Sequence, residues 1–165
     1  MMGLLIDAEG HVAPRETDGT LEDLRRLIGA PWLEFPSVWV LGLGRITAVC
    51  GEEYHVREHP EKERQIVTQI GDLKIWGACI ILREKGGELR GIDQSDMFAL
   101  SKRMRVMMVA DGLRVDPCRC GRFPVIERSD RYGIRYKCPA CTDIRYPWNR
   151  TLTGAALDWN AARGR

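Results

Sequence analysis

The sequence predicts an α+β fold in two parts, and three observations predict it. Strand-like and helix-like apolar patterns follow one another irregularly along the first 112 residues, without the strict alternation of a parallel α/β chain. Four of the six cysteines fall within 24 residues, from Cys118 to Cys141. The charge divides the same way: residues 113–165 carry 11 Lys+Arg against 5 Asp+Glu, a net +6, whereas residues 1–112 carry 14 against 18, a net −4. The expected organisation is a mixed body of about five strands and three helices at 1–112, then a small cysteine-bearing domain at 113–165. The connecting linker is expected to end at Pro117.

Composition bounds the function classes. A chain of 165 residues that is 44% hydrophobic can bury a real core and is not a disordered segment. The start, Met1 to Asp7, turns acidic too soon for a secretory signal peptide. The longest apolar run, Ile75 to Leu82, is eight residues, against about 20 for a membrane helix. The expectation is a soluble, cytoplasmic protein with no membrane contact. Cys50 and Cys79, each alone in a strand-like stretch, agree with a reducing compartment in which buried thiols behave as small hydrophobes.

Within the body, Gly3 to Ile6 reads as a first strand closed by a turn at Asp7 to Gly10. Thr20 caps a helix with Leu21, Leu24, Leu27 and Ile28 on one face, and Gly29 ends it. Ala30-Pro31 forces an extended exit into two β-rich runs, Val38 to Leu41 and Ile46 to Cys50. The intervening Gly42-Leu-Gly44-Arg45 is too short for a nucleotide-binding fingerprint and reads as a hairpin turn. His55 and His59 stand four apart, but Pro60 moves His59 out of the helical region, so they are read as surface histidines, with a short helix at Glu61 to Thr68. Leu73 to Arg83 is apolar on both faces and predicts a central, covered strand. Asp93 or Ser95 then caps a third helix reaching Ala110. Its stripe of Met97, Leu100, Met104, Met107 and Met108 reads as core, with an adaptable partner-binding surface as the alternative.

The cysteine stretch carries the chemistry. Cys118-Arg-Cys120 and Cys138-Pro-Ala-Cys141 are two close pairs separated by one hairpin's length of chain, the arrangement by which two tight turns enclose a tetrahedral Zn²⁺. Four unrelated thiols, or a redox pair at Cys138 and Cys141, are the alternatives, and the clustering favours the metal. Strands at Phe123 to Arg128 and Tyr132 to Cys138 would form the hairpin. Trp159, on a helix capped by Thr151 or Thr153, would be its apolar lid. A domain of about 50 residues cannot build an adequate core alone, so metal binding would supply the missing folding free energy.

Period two places Arg131, Arg135 and Lys137 on one face of the second strand, and Arg122 and Arg128 are expected to extend it. Such a face suits nucleic-acid phosphates or an acidic protein surface, and a merely solvated hairpin face is the bland alternative. Catalysis has little support: there is no recognisable Ser or Cys nucleophile motif, the three histidines lie far from the cysteines, and four cysteinates would close the metal's shell.

Two resemblances add to this reading. The run Thr20 to Gly29, then Glu34, Gly51-Glu-Glu53, Gly71-Asp72 and Gly77 to Ile81 loosely resembles a small uncharacterised domain found mostly in phage and plasmid proteins. The stretch from Pro117-Cys-Arg-Cys-Gly121 to Cys138-Pro-Ala-Cys141 and Ala155-Ala-Leu-Asp-Trp-Asn160 resembles the Lar family of restriction alleviation proteins. There Cys118, Cys120, Cys138 and Cys141 take the ligand places, and Ala155, Trp159 and Asn160 the helix places. The first knuckle is one residue short, Thr142 stands where glycine is usual, and Arg163 falls one position late. The resemblance implies a phage or plasmid product that binds a host restriction or related nuclease complex in the host cytoplasm. A nucleic-acid-binding regulator using the basic ribbon is the alternative.

Overall fold

The computed structural model describes residues 1–54, 65–141 and 146–162. It is α+β and forms two compact units: of the described residues, the first holds 1–54 and 66–106, and the second holds Gln65 and everything from Met107 on. The division after Val106 falls inside a strand, earlier than the boundary at 112 that the charge distribution suggests. His55, His59 and Pro60 lie outside the described residues.

The first unit is built on an antiparallel sheet. β1 (Met2–Ile6) reverses through a turn in which the Asp7 carboxylate accepts from the amides of Glu9 and His11, both at 2.9 Å, and β2 (Val12–Glu16) returns beside it. The β2 strand has no counterpart in the sequence reading. Helix α1 (Leu21–Ile28) is capped as expected: the Thr20 hydroxyl accepts from the Asp23 amide, and the Gly29 amide donates to the Arg25 carbonyl at 2.8 Å. β3 (Leu33–Glu34) and β4 (Ser37–Val40) both pair with β5 (Gly44–Gly51), and the β4–β5 connection is the hairpin predicted at Gly42 to Arg45. Leu5, Val49, Ile80 and Leu82 pack on one face with Leu24 and Ile28 of α1. On the other face Ile6, Ile46, Ala48, Cys50, Cys79 and Ile81 are also buried.

The expected strand Leu73 to Arg83 is two strands. β6 (Gln65–Ile70) and β7 (Leu73–Trp76) form a hairpin, and β8 (Cys79–Lys85) joins the main sheet between β1 and β5. The break is Gly77, at φ 97°, whose amide donates back to the Ile66 carbonyl at 2.8 Å. The described part of the expected second helix, Gln65 to Thr68, is likewise strand, because the β-branched Ile66, Val67 and Thr68 are all buried there. After β9 (Glu88–Arg90), helix α2 (Gln94–Ser101) starts at a capping box between Asp93 and Asp96. It stops well short of Ala110. From Met104 the chain runs as β10 (Met104–Ala110), so Met104, Met107 and Met108 stand on a strand and not on a helical stripe. The Arg83 guanidinium, 3.3 Å from both carboxylate oxygens of the buried Asp96, ties α2 to β8.

The second unit begins within β10, which pairs with β11 (Leu113–Val115) across Asp111-Gly112. A two-stranded ribbon follows, β12 (Val125–Ser129) with β13 (Gly133–Lys137), and helix α3 (Leu152–Ala161) closes the unit. Ile134 also bridges to Asn149, which sets Asn149 against the edge of β13 that does not pair with β12. Among the described residues no helix is long and apolar enough to cross a membrane.

Candidate metal centre

Two tight turns bring the four cysteines together. In the first, the Gly121 amide donates to the Cys118 carbonyl at 2.6 Å and the Cys118 amide donates to the Arg122 carbonyl at 2.7 Å. Gly121 sits at φ 85°, a left-handed conformation that residues with a side chain rarely adopt, and so lets the chain turn immediately after Cys120. In the second, the Cys138 sulfur accepts from the amides of Ala140 and Cys141, each at 3.4 Å, the arrangement that stabilises a thiolate in a metal knuckle.

The sulfurs converge in a compact group. Cys118 Sγ lies 3.7 Å from Cys141 Sγ, Cys120 Sγ lies 3.5 Å from Cys138 Sγ, and all four lie within 4.8 Å of one another. Four thiolates about 2.3 Å from a central ion make a tetrahedron with edges of about 3.8 Å, so the group has the size of a filled metal shell. The separations are far beyond the roughly 2.05 Å of a disulfide, and none of the six cysteines is disulfide-bonded. Hydrogen bonds shared with the thiols of Cys118, Cys120 and Cys138 hold the proton on Cys141 and push its pKa up to about 12. A divalent cation at the centre would displace that proton. Cys118 and Cys138 are buried, whereas Cys120 is exposed.

Helix α3 holds the ribbon from above. Thr151 caps it, its hydroxyl accepting from the Gly154 amide at 3.1 Å. Trp159 is fully buried, with its ring centroid 4.4 Å from that of Tyr146 and 6.2 Å from that of Tyr136, so the predicted lid is in place. Its indole N–H donates to the Asp116 carbonyl at 2.7 Å. Asn160 engages the same segment twice, donating to the Arg114 carbonyl at 2.7 Å and accepting from the Asp116 amide at 3.0 Å. The chain leading into Cys118 is therefore clamped by α3 and is part of the unit, not a free linker. Sequence reasoning set Asn160 apart only through a resemblance, because no local pattern marks an amide that mimics a neighbouring strand.

The five basic residues do not form one face. In the ladder Glu127 stands opposite Arg135 and Val125 opposite Lys137, so Arg135 and Lys137 do share a face. Arg131 lies in the turn before β13, Arg122 precedes β12, and Arg128, opposite Ile134, is on the other side of the ribbon. Parity counting holds only within a strand, and β13 starts at Gly133. Arg135 is committed locally: its Nε donates to Glu127 at 2.6 Å and holds that carboxyl below the ordinary carboxylate value, while its guanidinium stacks 4.3 Å from the Trp148 ring.

The remaining cysteines are of a different kind. Cys50 and Cys79 face each other across β5 and β8, both buried, and burial pushes Cys79 up to about 12 and raises Cys50 also. Such thiols stay protonated and unreactive. The chain matches no family model, no curated protein and no solved structure.

Proposed function

We propose that the second unit is a zinc ribbon holding one structural Zn²⁺ through Cys118, Cys120, Cys138 and Cys141, and that the chain works by binding and not by catalysis. The ion fits because four thiolates in a tetrahedron are the donor set of structural zinc, and a filled shell leaves no position for water or substrate. The biological reading is anti-defence: a phage- or plasmid-encoded protein that binds a host restriction or related nuclease system in the host cytoplasm and weakens it. The observation that supports this reading is the convergence of the four cysteines in a unit whose closing helix, through Trp159 and Asn160, holds the backbone at Arg114 and Asp116 just before Cys118. The four cysteines, Trp159 and Asn160 are among the residues on which the resemblance to the Lar family rests.

The test is the plating efficiency of unmodified phage on restricting hosts with and without the protein, repeated with Cys138→Ser. Plating should rise with the intact chain and fall back with the variant. Equal plating with and without the protein across several defence types refutes the reading. A second reading, a nucleic-acid-binding regulator, is favoured by one specific feature, the stacking of Arg131 on Tyr132 and Arg135 on Trp148. Its signature is binding of the purified protein to oligonucleotides that weakens steeply with salt.

A further inference from the structure

The second unit sorts its aromatic residues into two groups. Tyr136 and Tyr146 are buried against Trp159 of α3, and the three serve the core. Tyr132 is different: it sits at the tip of the β12–β13 hairpin, 53% exposed, with its ring centroid 5.8 Å from that of Trp148 at an interplanar angle of 31°. Cations bracket the pair. The Arg131 guanidinium lies 5.2 Å from the Tyr132 ring, the Arg135 guanidinium lies 4.3 Å from the Trp148 ring, and Lys137 follows Arg135 on the same face of β13. Trp148 is brought there by the bridge between Ile134 and Asn149, and Arg135 is held by Glu127.

We propose that Tyr132 and Trp148 form a stacking platform for the unpaired bases of a single-stranded nucleic acid, with Arg131 and Lys137 engaging its phosphates and Arg135, paired with Glu127, holding the Trp148 ring in place. The proposal deepens the nucleic-acid reading of the ribbon and rests on it. Two chemistries stand side by side on this surface, aromatic ring faces and fixed positive charge, and a single strand is the polymer that offers both complements, exposed base faces and a phosphate at every step. A duplex presents phosphates and base edges but hides its base faces, so it would leave the rings unused. An acidic protein surface would use the cations alone. The net charge of +6 over residues 113–165 supplies the attraction that brings a polyanion to the platform.

The test measures binding of the zinc-loaded full chain to fluorescent DNA and RNA oligonucleotides of about 10 nucleotides, within the range that one stacking groove covers, and to the matching duplex. Single strands should bind more tightly than duplex. Tyr132→Leu and Trp148→Leu should each weaken single-strand binding roughly 5- to 150-fold, and Tyr132→Phe should bind like the parent. Zinc content and hydrogen exchange of the ribbon serve as folding controls; Tyr132, being exposed, can be replaced without opening the core. If duplex binds as well as single strand, and Tyr132→Leu changes nothing while Lys137→Glu weakens both, the contact is to phosphates alone. The platform then falls while the basic-ribbon reading survives. If neither form binds and an acidic protein is captured through the same face, both fall.

Discussion

Asn160→Ala is the sharpest probe of how α3 supports the metal site. The side chain makes two hydrogen bonds to the backbone just before Cys118, from Nδ2 to the Arg114 carbonyl at 2.7 Å and to Oδ1 from the Asp116 amide at 3.0 Å. Each is worth about 1 kcal/mol net, so removing both should cost the folded ribbon about 2 kcal/mol. Because a small metal domain folds largely as it binds its ion, that loss should appear as an apparent zinc affinity about 30-fold weaker. Asn160→Asp separates the two bonds: it keeps the acceptor for Asp116 but sets a carboxylate oxygen against the Arg114 carbonyl, and should weaken zinc at least as much. Competition against a chromophoric chelator measures both. Unchanged affinity in both variants, with unchanged hydrogen exchange at Leu113 to Asp116, would refute the clamp and return that segment to the status of a linker.

Two further outcomes are expected, one for each unit. Metal analysis should find one zinc per chain and almost none in Cys138→Ser, and chelation should raise hydrogen exchange in residues 113–162 while leaving the β1–β5–β8 sheet protected. The second concerns Asp93, whose carboxyl is held below its ordinary value of 3.8 chiefly by the Asp96 amide and then by the Ser95 hydroxyl. A depressed carboxyl contributes stability that is complete above its unfolded value and is lost as pH falls through its folded one. Asp93→Ala should therefore flatten the acid limb of unfolding below about pH 4 and leave the alkaline limb unmoved, as fluorescence titration would show.

What could be read in the sequence was what local chemistry decides. The cysteine spacing worked because a knuckle is a turn of a few residues whose sulfurs must point the same way, and Thr20 with Gly29 bracketed α1 because caps act within one turn. Met104 to Ala110 misled because Met tolerates helix and strand alike, so the stripe at 97, 100, 104 and 107 fitted a helix while the alternation of Val106, Met108 and Ala110 fitted a strand. Only pairing with Leu113–Val115 decided between them. Gly77 carried a signal that went unused: a lone glycine inside an apolar strand pattern often marks a break. Trp148 carried none, because its partner Tyr132 is set by the Ile134–Asn149 bridge and not by sequence spacing.

The short first knuckle and the clamp by α3 explain each other. With a single residue between Cys118 and Cys120, the turn must close at once, and it does so through Gly121 and the Cys118–Arg122 backbone bond. This leaves Cys118 buried and Cys120 exposed, so the anchoring sulfur of the pair is the first one. Cys118 stands two residues after Asp116, whose carbonyl and amide are the groups that Trp159 and Asn160 hold. The helix thus fixes the chain just upstream of the anchoring ligand, while the second knuckle is fixed from within by its own amides on Cys138. Ligands from the two turns would meet at the metal with one turn positioned by tertiary contacts and the other by local ones. Loosening α3 should therefore release the Cys118–Cys120 turn first, and the exposed Cys120 thiol should be the first of the four to react with an alkylating reagent when the metal is removed.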